Sequence, residues 1–179
     1  MALWDGTAIT VAQALIGATL ATKSPSGVTS VTISEAEAYG GIDDPASHAR
    51  RGQTERNSPM FGPAGTLYVY RSYGIHWCLN VVTGAVGDPQ AVLIRAGISQ
   101  QGLDLMVERR GRCDHLVDGP GKLTQALGID NSLDGRRIEQ VDWLSITAPD
   151  RAPIVEWKPR VGLTKAAERR WRCVLLARD

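Results

Sequence analysis

The sequence offers little from which to build a disulfide framework, a metal centre or a membrane span. Its three cysteines, Cys78, Cys113 and Cys173, are odd in number, far apart and form no C-x-x-C pair, which argues against both a disulfide scaffold and a cysteine zinc site. They read as buried free thiols in a reducing compartment. His76-Trp77-Cys78 and the other histidines lack metal-ligand spacing, and no H-x-E precedes a P-C-x-x-C, so zinc deaminase chemistry is excluded and neither metal nor other cofactor is expected. No run approaches the roughly 18 apolar residues of a membrane span. The start, Met1-Ala2-Leu3-Trp4-Asp5, has neither the basic nor the apolar part of an export leader. The expectation is a soluble, unexported protein with no membrane partner.

Long charged or proline-rich linkers are also lacking, and 179 residues can bury a sizeable core, so residues 1–179 are expected to form a single domain. A net charge of +1 argues against wholesale wrapping of nucleic acid. Locally the balance differs: Ala46 to Val82 holds Arg50, Arg51, Arg56 and Arg71 against the single acid Glu55. That stretch is either a basic binding face or a solvated arginine-rich loop.

Helices and strands alternate without a repeated βαβ rhythm. Thr7 is placed to cap a helix whose apolar face takes Val11, Ala14, Leu15 and Ala18, and Ser24-Pro25-Ser26-Gly27 closes that segment. From Val28 a strand begins with Val31 and Ile33 on one face, and period two extends that face to Glu35 and Glu37. Gly40 to Gly65 carries no apolar period and reads as a long irregular connection, which inside a compact domain is usually functional or disordered. Thr66 to Arg71 and Ile75 to Val82 form a hairpin around Ser72-Tyr73-Gly74, with Gly74 free to take positive φ. Ala91 to Ala96 is a further strand, followed by a helix from about Ser99 to Arg110 stopped by Gly111, and a short helix from Lys122 to Leu127 stopped by Gly128. Later strands are expected at Val141 to Ile146, Ile154 to Trp157 and Val174 to Ala177, with a basic helix at Lys165 to Arg172.

An inward carboxylate such as Glu37 is costly unless paired or functional. Arg95 shares the parity of Ala91 and Leu93 and is its natural partner, either as a structural ion pair or as part of a reactive site. With only four tyrosines, one phenylalanine and three histidines in the chain, the gathering of Tyr39, His48, Tyr68 and Tyr70 in one region is notable. Flat rings stack on a nucleobase, although each alone is as readily a core aromatic. Tyr73, at a hairpin tip, has little core to join and suits a wedge that unstacks a base step, or else lies flat on a neighbouring strand. Gly119-Pro120-Gly121-Lys122 is not a Walker loop, because Leu116 and Leu123 stand where glycine and Ser/Thr are required. What remains is a helix start with a lysine, suited to one phosphate.

Glu37-Ala38-Tyr39-Gly40, His48, Arg56-Asn57 with Met60-Phe61, Gly65-Thr66-Leu67-Tyr68-Val69-Tyr70, Tyr73-Gly74, Cys78 to Asn80, Leu93-Ile94-Arg95-Ala96, Gly119-Pro120-Gly121-Lys122-Leu123 with Gln125-Ala126-Leu127, and Pro159-Arg160-Val161-Gly162 occur in that order. Together they resemble the alkyladenine (3-methyladenine) DNA glycosylases over roughly Val31 to Gly162.

The resemblance implies one mixed α/β (α+β) domain with a curved, mainly antiparallel sheet and a protruding hairpin that enters the DNA minor groove. It implies Glu37 as general base for an attacking water and Arg95 as its positioner. Tyr39, His48 and Tyr70 would form the base pocket, Asn80 would crowd the exocyclic amine of guanine, and Tyr73 would be the wedge. Arg56, Arg71 and Lys122 are the candidate backbone contacts. The implied partner is double-stranded DNA carrying damaged purines of the 3-methyladenine, 7-methylguanine or hypoxanthine type. The expected enzyme is a monomeric, monofunctional N-glycosyl hydrolase of base excision repair. It would be cytoplasmic and nucleoid-associated in a bacterium, or nuclear in a eukaryote. The alternatives are a non-catalytic minor-groove damage-recognition protein, or a small-molecule hydrolase using Glu37 and Arg95. Two departures stand out. Arg71-Ser72 replaces a more apolar pair before the wedge, and Leu163 to Asp179 has no evident counterpart.

Overall fold

In the computed structural model, residues 2–176 are described. Thr7 caps helix α1 (Ala8–Leu15), its side chain accepting the Thr10 N–H, and Val11, Ala12 and Leu15 are buried. The helix is shorter than its apolar period suggests, and the chain turns directly into strand β1 (Thr19–Ser24), which the sequence reading passes over. β1 is short, and its β-branched content is diluted by Ala21, Lys23 and Ser24, so its pattern is weak. Its partner across the Ser24–Gly27 turn is β2 (Gly27–Tyr39), the longest strand.

The remaining strands are β3 (Leu67–Ser72), β4 (His76–Thr83), β5 (Gln90–Gln101), β6 (Leu144–Thr147), β7 (Val155–Lys158) and β8 (Arg172–Leu175). They form one sheet in the order β3-β4-β5-β2-β1-β6, in which β8 pairs with both β2 and β7, and every pairing is antiparallel. β2 holds the sheet together. Along one edge it pairs with β5 from Ser30 to Tyr39, and along the other with β1 up to Thr32 and then with β8 from Glu35 to Glu37. The result, among the described residues, is a curled, half-barrel antiparallel sheet with three α-helices, an α+β fold.

Pairing of β2 with β5 is irregular between Ile33 and Ala36, and this corrects the expected parity. Val31 and Ile33 lie in the main core, but beyond the irregularity the core residues are Ala36 and Ala38, opposite Ile94 and Val92. A bulge that inserts one residue hands each following side chain to the other face. Glu35, Glu37 and Tyr39 therefore leave the core face and join Ala91, Leu93 and Arg95 on the opposite one. The main core lies between the first face and the helices, with Leu15 of α1 and Leu123, Ala126 and Leu127 of α3 (Pro120–Leu127) fully covered.

Two other expectations fail locally. β5 runs on to Gln101, so helix α2 is only Leu103–Arg110, beginning after the left-handed Gly102 and ending at the left-handed Gly111. Lys165 to Arg170 is irregular, and Arg172 begins β8 rather than closing a basic helix. Its successive basic residues mimic a solvated helix face, but its ring and guanidinium groups are drawn into contacts with β2 and with the loop that follows it. Ala177, the last residue of an expected strand, lies outside the described residues.

Candidate active site

The second face of the sheet carries one row of side chains across four strands. Glu37 on β2 pairs with Leu93 on β5, Leu93 with Asn80 on β4, and Asn80 with Tyr68 on β3. Period two then adds Tyr39, Ala91, Val82 and Tyr70 to the same face. The long connection 40–65 folds over it, with only two 3-10 turns, Gly41–Asp43 and Ser58–Phe61. Asn57, nearly fully buried, holds this connection by donating to the carbonyls of His48 and Gly52 at 3.0 and 3.1 Å. Met60 and Ala49 from it pack on Tyr68, Val82 and Ala91.

Between sheet and connection lies a cavity of about 90 Å³, lined by Tyr39, His48, Tyr68, Tyr70 and Asn80 together with Met60, Leu163 and smaller residues. It is well below the ~300–1,000 Å³ of pockets that enclose drug-sized ligands, so it suits a single flat ring system. It opens into a groove of about 440 Å³ that shares Tyr39, His48, Tyr70 and Leu163 and adds Glu37, Arg95, Arg56, Arg71 and Tyr73. The rings are closely set, with His48 and Tyr70 centroids 4.5 Å apart and Tyr68 and Tyr70 5.2 Å apart. His48 Nδ1 and the Tyr68 hydroxyl are 2.9 Å apart. Burial pushes the Tyr68 phenol up to about 12, and it raises the Tyr39 and Tyr70 phenols further. All three are therefore neutral at physiological pH. Burial and the Arg56 charge lower His48 below the usual imidazole range, which favours the neutral ring. The floor is fixed by Asn80, whose amide donates to the Tyr68 carbonyl at 3.0 Å.

Glu37 lines the groove beside Tyr39, which lines both groove and cavity, and is fully buried. Its Oε2 accepts the Tyr39 hydroxyl at 2.9 Å and its Oε1 accepts the Val161 backbone N–H at 2.9 Å. Arg95 Nη1 is 3.6 Å from Oε1, while Arg95 Nε is 3.6 Å from Glu35, which also accepts from Arg172 at 2.8 Å. A carboxylate bonded in this way keeps its position and still has lone pairs for a water molecule.

Tyr73 is at the hairpin tip, 89 % exposed, and both Tyr73 and Gly74 have positive φ, 52° and 70°. The Ile75 N–H closes the turn on the Ser72 carbonyl at 3.0 Å. Successive left-handed residues give the hand of turn that matches the twist of the flanking strands, and three residues separate the paired Ser72 and His76. Arg71 stacks 4.8 Å from the Trp77 ring, and Arg56 donates to the Arg71 carbonyl at 3.2 Å, tying the connection to the hairpin.

Nine of the ten residues that the sequence singles out thus converge on one groove and cavity. Lys122 lines neither; it stands in the first turn of α3 and bonds Asp118 at 2.8 Å, and it is Pro120 of that turn that reaches the groove. Several contributors to the site escape the sequence reading. They are the Val161 N–H, Leu163, Arg172, and a buried pair of Asp44 and Arg160. Pro159-Arg160-Val161-Gly162 stands out as a motif, but a backbone donor has no signature in side-chain chemistry.

Comparison with known proteins decides the family. The family model described as methylpurine-DNA glycosylase matches residues 2–178. The chain belongs to the methylpurine-DNA glycosylase family. A relative from Rhodopseudomonas palustris (strain BisB18) is 49% identical over 164 residues, covering 90% of this chain and 79% of its own. One from Methanoculleus marisnigri is 47% identical over 176 residues, covering 93% and 89%, and one from Frankia casuarinae is 42% identical over 186 residues, covering 94% and 84%. All three carry the name "Putative 3-methyladenine DNA glycosylase". The match also corrects the reading of the C-terminal segment. The family's pattern continues past Gly162, and Leu163, Trp171 and Arg172 take part in or around the site.

Among the described residues, no helix is long and apolar enough to cross a membrane and no cluster of side chains fits a metal ion.

Proposed function

We propose that this methylpurine-DNA glycosylase family member acts as a monomeric, single-domain, monofunctional enzyme that removes alkylated or deaminated purines from duplex DNA. The observation that carries this reading is the buried Glu37 carboxylate, held by Tyr39 and Val161 at the mouth of a small aromatic cavity. The hairpin enters the minor groove, Tyr73 takes the space of the extruded nucleotide, and the damaged base stacks among Tyr39, His48 and Tyr70. Arg56, Arg71 and Lys122 contact phosphates and set the register.

With the base in the cavity, its deoxyribose C1′ lies at the groove junction beside Glu37. A water held by Glu37 and Arg95 attacks C1′. Glu37 takes one of its protons, the oxygen bonds to C1′, and the N-glycosidic bond breaks with its electrons passing to the base. An alkylated purine leaves as a neutral molecule because it enters as a cation, and electron-rich rings favour that cation. A neutral base such as hypoxanthine needs a proton as it leaves and depends more on its placement. Asn80, anchored to the Tyr68 carbonyl, occupies the space an exocyclic 2-amino group requires, so normal guanine is refused.

Single-turnover release of free base from a duplex carrying one defined lesion tests the reading. Release with formation of an alkali-sensitive abasic site is the expected result. Tight binding to lesion DNA with no release from any alkylated or deaminated purine would overturn it.

A further inference from the structure

Behind Tyr39 lies a charged cluster that touches neither the cavity nor the groove. Arg160 is 4 % exposed. Its two terminal nitrogens bond both oxygens of Asp44, Nη2 to Oδ1 at 2.8 Å, and Nη1 also donates to the Ala38 carbonyl at 2.9 Å. Its guanidinium carbon is 4.7 Å from the centre of the Tyr39 ring and 5.1 Å from that of Trp171, so the cation is layered between two rings. The Arg160 Nε–H has no hydrogen-bond partner among the described residues. The hold therefore comes from Asp44, one carbonyl and the two rings.

Asp44 is fully buried. Burial alone would raise its pKa, but the Arg160 hydrogen bonds, with those from the Ala46 and Gly40 N–H groups, lower it below the usual carboxylate range. Trp171 is pressed close to Gly40, where a Cβ would come within 3.0 Å of its ring. The Ala38 N–H bonds the Trp171 carbonyl at 2.8 Å. Four segments thus meet at one guanidinium: the end of β2, the start of the 40–65 connection, the 159–162 loop and the approach to β8.

Two of those segments carry the proposed chemistry. Tyr39 both lines the cavity and donates to Glu37 Oε2, and the residue after Arg160, Val161, donates to Glu37 Oε1. We propose that Arg160 is a positioning residue for base release, which sets through one buried cation both the ring that stacks on the base and the two donors that orient the Glu37 carboxylate. The inference rests on the function proposed above. A neutral side chain would leave Asp44 with only the more distant Arg169, whose Nη1 is 3.8 Å from Oδ1, and would free the Tyr39 ring and the Val161 peptide to move independently. Misplacement by about 1 Å at such a site costs up to ~100-fold in rate.

The test uses the full chain and a duplex carrying one hypoxanthine or 7-methylguanine. Arg160→Lys keeps a charge for Asp44 but cannot bond Asp44 twice, reach the Ala38 carbonyl and fill the space between both rings at once. Trp171→Leu removes one ring and leaves the ion pair intact. Both are assayed where near-UV circular dichroism shows a native spectrum, so that if the first fails to fold the second decides. Saturating single-turnover rates are expected to fall roughly ten- to hundred-fold, with the dissociation constant for undamaged duplex within about threefold of wild type, since no exposed DNA contact is altered. A merely structural role would leave the rate of the folded fraction unchanged, and a wild-type rate in folded variants overturns the proposal. A double-mutant cycle with Tyr39→Leu adds a second readout. If Arg160 acts through that ring, its effect shrinks in the Tyr39→Leu background, whereas strict additivity overturns the Tyr39 route. Wild-type protein that releases no base would defeat the functional reading instead, so the two failures are distinguishable.

Discussion

The Tyr39 hydroxyl donates to Glu37 Oε2 at 2.9 Å, from a side chain two residues along the same strand and on the same face. Ring and carboxylate are thereby one unit. In the proposed function, a base that stacks on Tyr39 would be registered against the carboxylate that serves its glycosidic bond. Tyr39→Phe should keep the ring and lose the bond, so lesion binding should hold while the saturating rate falls. Equal loss of binding and rate would show that the hydroxyl serves the pocket and not the carboxylate.

Glu37→Gln preserves shape but cannot take a proton from water. Base release should drop by ~100-fold or more, with affinity for lesion-bearing duplex nearly intact. Quench-flow or gel analysis of single-turnover cleavage beside a binding isotherm makes the comparison, and wild-type-like cleavage would remove Glu37 from the proposed role.

Asn80 is nearly fully buried on the cavity floor and fixed by the Tyr68 carbonyl. Asn80→Ala should enlarge the floor and raise release of guanine-derived bases relative to adenine-derived ones. Because it also leaves that carbonyl without its donor, stability should fall by about 1–3 kcal/mol. An unchanged ratio of the two lesion classes would place discrimination elsewhere.

At the hairpin tip the demands of stability and function diverge. Tyr73 holds φ at 52°, a left-handed conformation that costs an L residue with a bulky side chain roughly 1–2 kcal/mol, and its ring is exposed rather than packed. Tyr73→Asn should therefore leave the melting temperature equal or higher while weakening lesion excision. A lowered melting temperature with normal excision would mean that the ring is structural.

How far these features are legible in the sequence depends on where the information lies. The hairpin, Gly74, Gly111 and Gly128 are legible because turn and stop chemistry is local. Glu37 faces inward by a period that the structure breaks. The irregular pairing between Ile33 and Ala36 moves it to the second face, but its burial and its partnership with Arg95 survive the correction. β1 is misread because its own apolar pattern is weak, although its partner β2 follows directly across the Ser24–Gly27 turn, whereas the 165–172 segment is misread because its order comes from pairing with the distant β2 and packing on Arg160. Asp44 and Arg160, 116 residues apart, leave no mark that composition or periodicity can detect.

The Asp44–Arg160 pair also gives a pH dependence. Asp44 is depressed in the folded state relative to its ordinary 3.8, so its contribution is fully present above that value and is lost as pH falls through the folded pKa, where the native carboxylate finally protonates. Asp44→Asn, which leaves Arg160 buried without its counter-charge, should cost about 3–5 kcal/mol at neutral pH. The gap to wild type should narrow once the pH falls below about 4. Denaturant melts at pH 7 and near pH 3 measure it, and a gap that stays constant or widens in acid would refute the assignment.

Once the base has left, a lysine amine near C1′ can form a Schiff base with the opened sugar and lead to strand cleavage, and Lys122 is the natural suspect because it follows a glycine-rich turn. Its position argues otherwise. Lys122 Nζ is bonded to Asp118 Oδ1 at 2.8 Å, outside the residues that line cavity or groove. Asp118 is held down to about 2 by Lys122 and His115, so the ammonium has a firm counter-charge until a phosphate displaces it. Glu37, by contrast, lines the groove where C1′ is proposed to lie, and in that proposal it activates water rather than offering an amine. Incubation with lesion duplex and borohydride should therefore trap no covalent protein–DNA adduct, and strand breakage should require added alkali. Lys122→Ala should weaken binding to damaged and undamaged duplex alike and reduce the salt dependence of binding by about one phosphate contact, with the saturating rate unchanged. An adduct that forms with wild type and disappears in Lys122→Ala would replace the water mechanism with an amine one.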